Sequence, residues 1–157
     1  MKLRTGLLVV CISALTFFSV NAQQNNNSKT APTAEESKAF LEANGKLKGV
    51  VTTPSGLQYK VVKKGKGDKP TAEDRVSLFY TLSLSNGKLL SDDFKNTMWD
   101  HHVDKALPGM QEAIYGMQPG EKRILYIPSE LAFGNSGEMV PEGSTILCDI
   151  ELLKAYK

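Results

Sequence analysis

The sequence predicts an α+β fold in which an antiparallel sheet wraps over a single interior helix, with a second short helix in front. Three observations lead there. "DRVSLFYTLSLSNGKLL" alternates apolar and polar residues and runs into Asn86-Gly87, the pattern of a half-buried strand entering a hairpin. "LPGMQEAIYGM" is the one helical pattern in the interior, and "STILCDIELL" alternates again near the end.

In chain order, Lys2 and Arg4 precede the apolar run "GLLVVCISALTFFSV", and "VNA" offers a small-residue cleavage point after Ala22. Residues 1–22 are therefore expected to be a signal peptide and the protein to be exported, periplasmic or secreted. The run is short of the roughly 20 apolar residues that a span needs, and polar "QQNNNSK" follows without a basic stop, so no stable membrane anchor is expected. Lipidation at Cys11 would place the cut inside the apolar run and after Val10. Residues 23–32 are apolar-poor and are expected to be a flexible arm.

Residues 33–54 hold one short helix and a linker. Thr33 with Glu36 three residues later has the spacing of a capping box, and Asn44-Gly45 is a stop signal. Its apolar residues are chiefly Phe40 and Leu41, so the helix must dock or wave. A loosely attached peripheral helix is the expectation.

From residue 55 onward the texture is that of strands. "GLQYKVVKKG" reads as a short strand ending in a Gly/Lys turn, and Val76, Leu78, Tyr80, Leu82 and Leu84 share one face of the long strand. "FKNTMWDHHVDK" reads as irregular. Pro108 sits near the start of the interior helix, where its missing N–H costs nothing, and Ile114 and Met117 can face a sheet. Pro119-Gly120 turns the chain into "EKRILYIP", whose Leu125 and Ile127 point one way, and a strand over about 145–156 completes the sheet.

The 157 residues carry a formal net charge of +2, with 41% hydrophobic and 23% charged residues, the composition of one soluble globular domain. So small an excess gives no support to nucleic-acid binding. With the leader removed, Cys148 is the only cysteine, so no internal disulfide can form. It alternates with Ile146, Ile150 and Leu152, which favours a buried thiol over a nucleophile. Asp100, His101 and His102, with Asp92, Asp93 and Asp104 nearby, suggest metal ligands. Adjacent residues of an extended segment point to opposite faces, however, so solvated loop histidines are expected and no metal. Met110 and Met117 read first as a core stripe of the helix.

Taken together, "SGLQYKVVKKGKGDKPTAEDRV", "NGK", "LPGMQEAIYGMQPGEKRILYIPSELAFG" and "VPEGSTILCDIELL" resemble the FKBP-type peptidyl-prolyl isomerases, in texture those of the bacterial secreted, macrophage infectivity potentiator kind. The resemblance runs from Ser55 to near the end, so residues 55–157 are taken as an FKBP-like domain. It implies a half-barrel of five to six antiparallel strands round one short helix, prolyl isomerisation without a cofactor, and proline-containing polypeptides as clients. With only a short helix in front, a monomer or weak dimer is expected.

Carried over residue by residue, the resemblance makes Tyr80, Phe133 and Leu107 the catalytic candidates. Tyr80 matches a family tyrosine, Leu107 keeps a backbone N–H that the family aims at ligand, and Phe133 stands where the family has a hydroxyl-bearing tyrosine. The substrate-binding candidates are Leu90, Ser91, Ala106, Met110, Val140, Cys148 and Trp99. Leu90-Ser91 replace the family's Phe-Asp, Met110 replaces the tryptophan that floors the pocket, and Cys148 replaces an aromatic on the last strand. Val140 keeps an aliphatic of the loop before that strand, and Trp99 lies near a wall position. Three rings, one hydroxyl and one carboxylate are thus lost, so a weakened isomerase is expected. A non-catalytic peptide-binding or holdase module on the same fold is the alternative, and a prolyl-isomerisation assay separates the two. For the leader, intact-mass analysis of exported protein is expected to give a chain beginning at Gln23; a retained Met1, or a lipid on Cys11, would reject the cleavage.

Overall fold

The computed structural model describes residues 31–90, 95–134 and 140–156. Helix α1 (Ala34–Asn44) comes first, followed by strands β1 (Val50–Thr52), β2 (Gln58–Lys63), β3 (Arg75–Leu84) and β4 (Thr97–His102). Helix α2 (Pro108–Gly116), β5 (Lys122–Ile127) and β6 (Ile146–Tyr156) complete the order. All six strands join one antiparallel sheet in the order β1-β2-β5-β6-β3-β4. This is the α+β architecture that the alternation predicts.

The alternating face of β3 is the core. Val76, Leu78, Leu82 and Leu84 are all buried, and opposite them β6 presents Ile146, Cys148, Ile150 and Leu152, each at 0% exposure. Each fully buried Leu or Ile of this set contributes about 1.5–3 kcal/mol relative to an exposed one. From α2, Ala113, Ile114 and the following Met117 press onto that face. Gly109 allows the close approach at the other end of the helix, since a Cβ there would stand 2.5 Å from Ile127 Cγ2.

Four expectations need correction. The stretch read as irregular contains β4, whose pairing with β3 sets Leu78 against Trp99 and Val76 against His101. No alternation announced it, because Met98 on its outer face is 58% exposed and the two histidines are both exposed. The supposed linker contributes β1, three residues held at the sheet edge by Val50, Val51 and Thr52 opposite Lys60, Tyr59 and Gln58. At Asn86-Gly87 the chain does reverse, with Gly87 at φ 83°, but the hairpin yields only the isolated Ser83–Leu89 bridge.

Helix α1 is the fourth. Its capping box forms as the sequence predicts, Thr33 and Glu36 each accepting from the other's backbone N–H. It ends at Gly45, in right-handed conformation at φ −61°, not in a left-handed cap. It is not loosely attached. Asn44 Nδ2 donates to Gln58 Oε1 at 2.9 Å, Gln58 Nε2 donates to Leu41 O at 2.9 Å, and Ser37 is buried against Thr145. The helix docks through polar side chains, so a count of its apolar residues could not reveal it.

Arg123 also escaped the apolar pattern, although it shares the inward face of β5 with Leu125 and Ile127. Its Nε pairs with Glu121, its Nη2 donates to Gly116 O at 2.7 Å, and the guanidinium lies 4.4 Å from the centre of the Tyr59 ring. Both side chains of the ion pair are more than 90% buried. Arg123→Leu would leave the Glu121 carboxylate buried without its cation and is expected to cost about 3–5 kcal/mol in urea denaturation. The double change Glu121→Gln with Arg123→Leu should cost less than that single change, and a larger loss would show that capping of α2 outweighs the pair.

Candidate active site

The polypeptide entering α2 is shaped before the helix begins. Val103–Lys105 form one turn of 3-10 helix, and Gln111 reaches back from α2 and donates from Nε2 to Ala106 O at 2.8 Å and to Asp104 O at 3.2 Å. Leu107 is the residue before the first turn, and its carbonyl accepts from Gln111 N at 2.9 Å. Its own N–H lies outside the helix ladder, as helix geometry requires of that position.

On β3 and β4, Tyr80 and Trp99 line one hollow, Trp99 tilted against His101 with ring centres 5.3 Å apart. From the β5–β6 connection, a 3-10 turn over Ser129–Leu131 delivers Phe133, and the turn is closed by Ala132 N and Gly134 N donating to Ser129 O at 3.0 and 2.7 Å.

Tyr80, Trp99, Ala106, Leu107, Met110 and Phe133 together line a hollow of about 150 Å³, to which Leu82 and Lys105 also contribute. Six of the ten candidate residues therefore meet in one place. Met110, only 5% exposed, is both floor and core, so the two roles weighed for it are not exclusive. Three others fall elsewhere. Cys148 and Val140, at 0% and 4% exposure, are packed in the core and do not line the hollow, and half-buried Leu90 packs against that core. Ser91 lies outside the described residues. Leu82 was legible as a core position, its side chain being next on the face that carries Tyr80. Lys105 and Gln111 carry no periodic signal, because their roles arise from the turn before α2.

The hollow is apolar, and its neighbourhood shows in the titratable groups. Burial first, and then the nearby Cys148, push the Tyr80 phenol above its ordinary 10.0, so it stays protonated at neutral pH. Burial, and then Asp149, push the Cys148 thiol far above 9.0. Cys148 is thus a protonated core residue and no thiolate nucleophile. Among the described residues no three His, Cys, Asp or Glu side chains are grouped to hold a metal ion. Asp100 pairs with Arg75 at 2.7 Å, and His102 faces away from His101 on β4, while Asp92 and Asp93 lie outside the described residues.

A wider cleft of about 500 Å³ lies between the start of α1 and the Ser85-Asn86 turn. Of its lining side chains only Phe40 is aromatic, and it presents no ring-walled recess.

The model of the family described as FKBP-type peptidyl-prolyl cis-trans isomerase matches residues 66–153. The chain belongs to that family. A second model, for the domain amino-terminal to FKBP-type peptidyl-prolyl isomerase, matches residues 11–61. This FKBP-type chain is 37% identical over 124 residues to the FKBP-type 22 kDa peptidyl-prolyl cis-trans isomerase of Escherichia coli, covering 77% of its own length and 60% of the relative's. It is 37% identical over 127 residues to the peptidyl-prolyl cis-trans isomerase Mip of Coxiella burnetii, covering 79% and 55%. It spans about half the length of such curated relatives. Among solved structures it resembles FkpA from Escherichia coli, with TM-score 0.72 and 35% identity over 77% of this chain and 58% of that one. A Pseudomonas syringae isomerase aligns with TM-score 0.70 and 26% identity, over 82% of this chain and 98% of that one.

Because Cys148 is protonated in the folded FKBP-type chain and ionises in the unfolded one, its stabilisation is complete below about pH 9 and is lost as pH rises. Folding free energy is expected to fall by about 1.4 kcal/mol per pH unit from that onset. Tyr80 and Tyr126, also raised, steepen the fall above pH 10.0. Urea midpoints measured between pH 8 and 11 on wild type and Cys148→Val check this: the variant should hold its stability to about pH 10, and identical profiles would contradict it.

Proposed function

We propose that this protein is a peptidyl-prolyl cis-trans isomerase acting on proline-containing stretches of exported polypeptides, through a pocket weaker than the family pattern. The observation that carries the reading is the hollow between Tyr80, Trp99 and Phe133 on the Leu107–Met110 floor, in a chain of this family. Drug-sized ligand sites run to about 300–1,000 Å³. A recess of about 150 Å³ suits one pyrrolidine ring instead. The signal-like segment ending at Ala22 supports export, and among the described residues no helix is long and apolar enough to cross a membrane.

Rotation about an Xaa-Pro bond makes and breaks no bond. Its barrier is that of amide resonance, ~18–20 kcal/mol, and water bound to the carbonyl strengthens that resonance. Seating the proline ring on Met110 and Trp99 removes water from the carbonyl, which favours the twisted amide over the planar one. The twisted carbonyl then takes a weak donor. Leu107 N–H is a donor outside the helix ladder, Tyr80 carries a protonated hydroxyl in the lining, and Phe133 supplies a ring without a hydroxyl.

Restoring that hydroxyl with Phe133→Tyr should stabilise the twisted carbonyl by about 0.5–1.5 kcal/mol, which is about a 2- to 13-fold gain in kcat/KM. The readout is cis-to-trans conversion of an Xaa-Pro peptide and the rate of a proline-limited refolding reaction. If the wild type accelerates neither, and Phe133→Tyr changes neither while the fold stays intact, the isomerase reading fails and the groove is a peptide-binding surface without catalysis.

A further inference from the structure

We propose that helix α1 is a positioning element of the pocket, with Ser37 its positioning residue; this rests on the isomerase reading above. The segment that carries Phe133 leaves the sheet after Ile127 and returns at Ile146. Helix α1 holds it at both ends. Where the segment leaves, Phe40 packs on Tyr126 with ring centres 5.9 Å apart. Where it returns, Thr145 N donates to Ser37 Oγ at 3.3 Å and Thr145 Oγ1 donates to Ser37 O at 3.4 Å, with both residues 1% exposed.

The returning end meets the helix closely at one point, beside an open cleft of about 210 Å³ that α1 shares with Pro128–Glu130. Gly143 has φ +72°, and a Cβ added there would collide with the methyl of Ala34. The helix is fixed independently at its far end, through Asn44 and Leu41 O to Gln58 on β2. Two anchors on the sheet and one on the connection make α1 a strap across the base of the segment, while Phe133 within it walls the hollow. The boundary between the two family models, at residues 61 and 66, separates α1 from the pocket in sequence. The hydrogen bonds that Thr145 donates to Ser37 join them in space.

The test uses the full chain with two variants. Ser37→Leu removes the Oγ acceptor and leaves Thr145 N–H without it, and Ala39→Pro interrupts the helix at an exposed position. Amide exchange at Ala132 and Gly134, which both donate to Ser129 O, should accelerate at least about tenfold. Exchange at the β3 and β6 core amides should stay as in wild type, and Ser37→Thr, which keeps the hydroxyl, should restore protection. Efficiency on an Xaa-Pro peptide should fall about 10- to 100-fold, as for a displaced pocket wall. The proposal is overturned if α1 amides lose protection while Ala132 and Gly134 exchange unchanged. If the wild type isomerises nothing, the isomerase reading falls, and the exchange at Ala132 and Gly134 still decides whether α1 is a brace.

Discussion

The pocket depends first on where α2 lies, and that is decided by one buried guanidinium. The last turn of α2 contains no basic residue, yet its carbonyls carry the negative end of the helix dipole. Arg123 supplies the missing cation from the neighbouring strand, reaching Gly116 O at 2.7 Å and Ala113 O at 3.5 Å while Glu121 and the Tyr59 ring enclose it. Glu121 is itself tied to the turn, its Oε2 accepting from Gln118 N at 3.0 Å. A nine-residue helix is short enough to move as one body, so fixing its end against β5, with Gly109 closing the other end on Ile127, also fixes Leu107 and Met110 beneath the hollow.

On the proposed reading, that hollow serves a reaction in which the protein donates little. The raised Tyr80 phenol and the protonated Cys148 share a cause, removal from water, and the same removal favours a twisted amide over a planar one. The chemistry that the site can supply is therefore exclusion of solvent, a surface for a ring, and a few neutral hydrogen bonds. Met110 gives a floor that adapts to shape, so grip should be broad rather than selective.

Helix α1 shows how a segment with little apolar surface can still be part of a fold. Its buried positions are Ser37 and Asn44, and each is answered by a partner on the sheet or its connection. A satisfied polar contact of this kind is directional, so it sets the position of the connection that carries Phe133 more closely than a greasy patch of equal area would.

What the sequence determined by itself was whatever local pattern could encode. The strict alternation of Val76 to Leu84, the Ile146 to Leu152 face, the Pro108 start of α2 and the Thr33–Glu36 capping box each express a backbone period or a cap within a few residues. Most of the pocket residues were reachable by matching family positions, whereas Trp99 came from a stretch whose alignment is irregular. The tertiary structure decided the rest. Strand β4 exists because β3 offers it an edge, α1 docks because Gln58 and Thr145 meet its polar side chains, and Arg123 is buried because a helix end lies over it. Cys148 is packed in the core instead of lining the hollow because its strand is central in the sheet. Each of these depends on a partner far away in the chain, and no period or propensity within a short window carries that information.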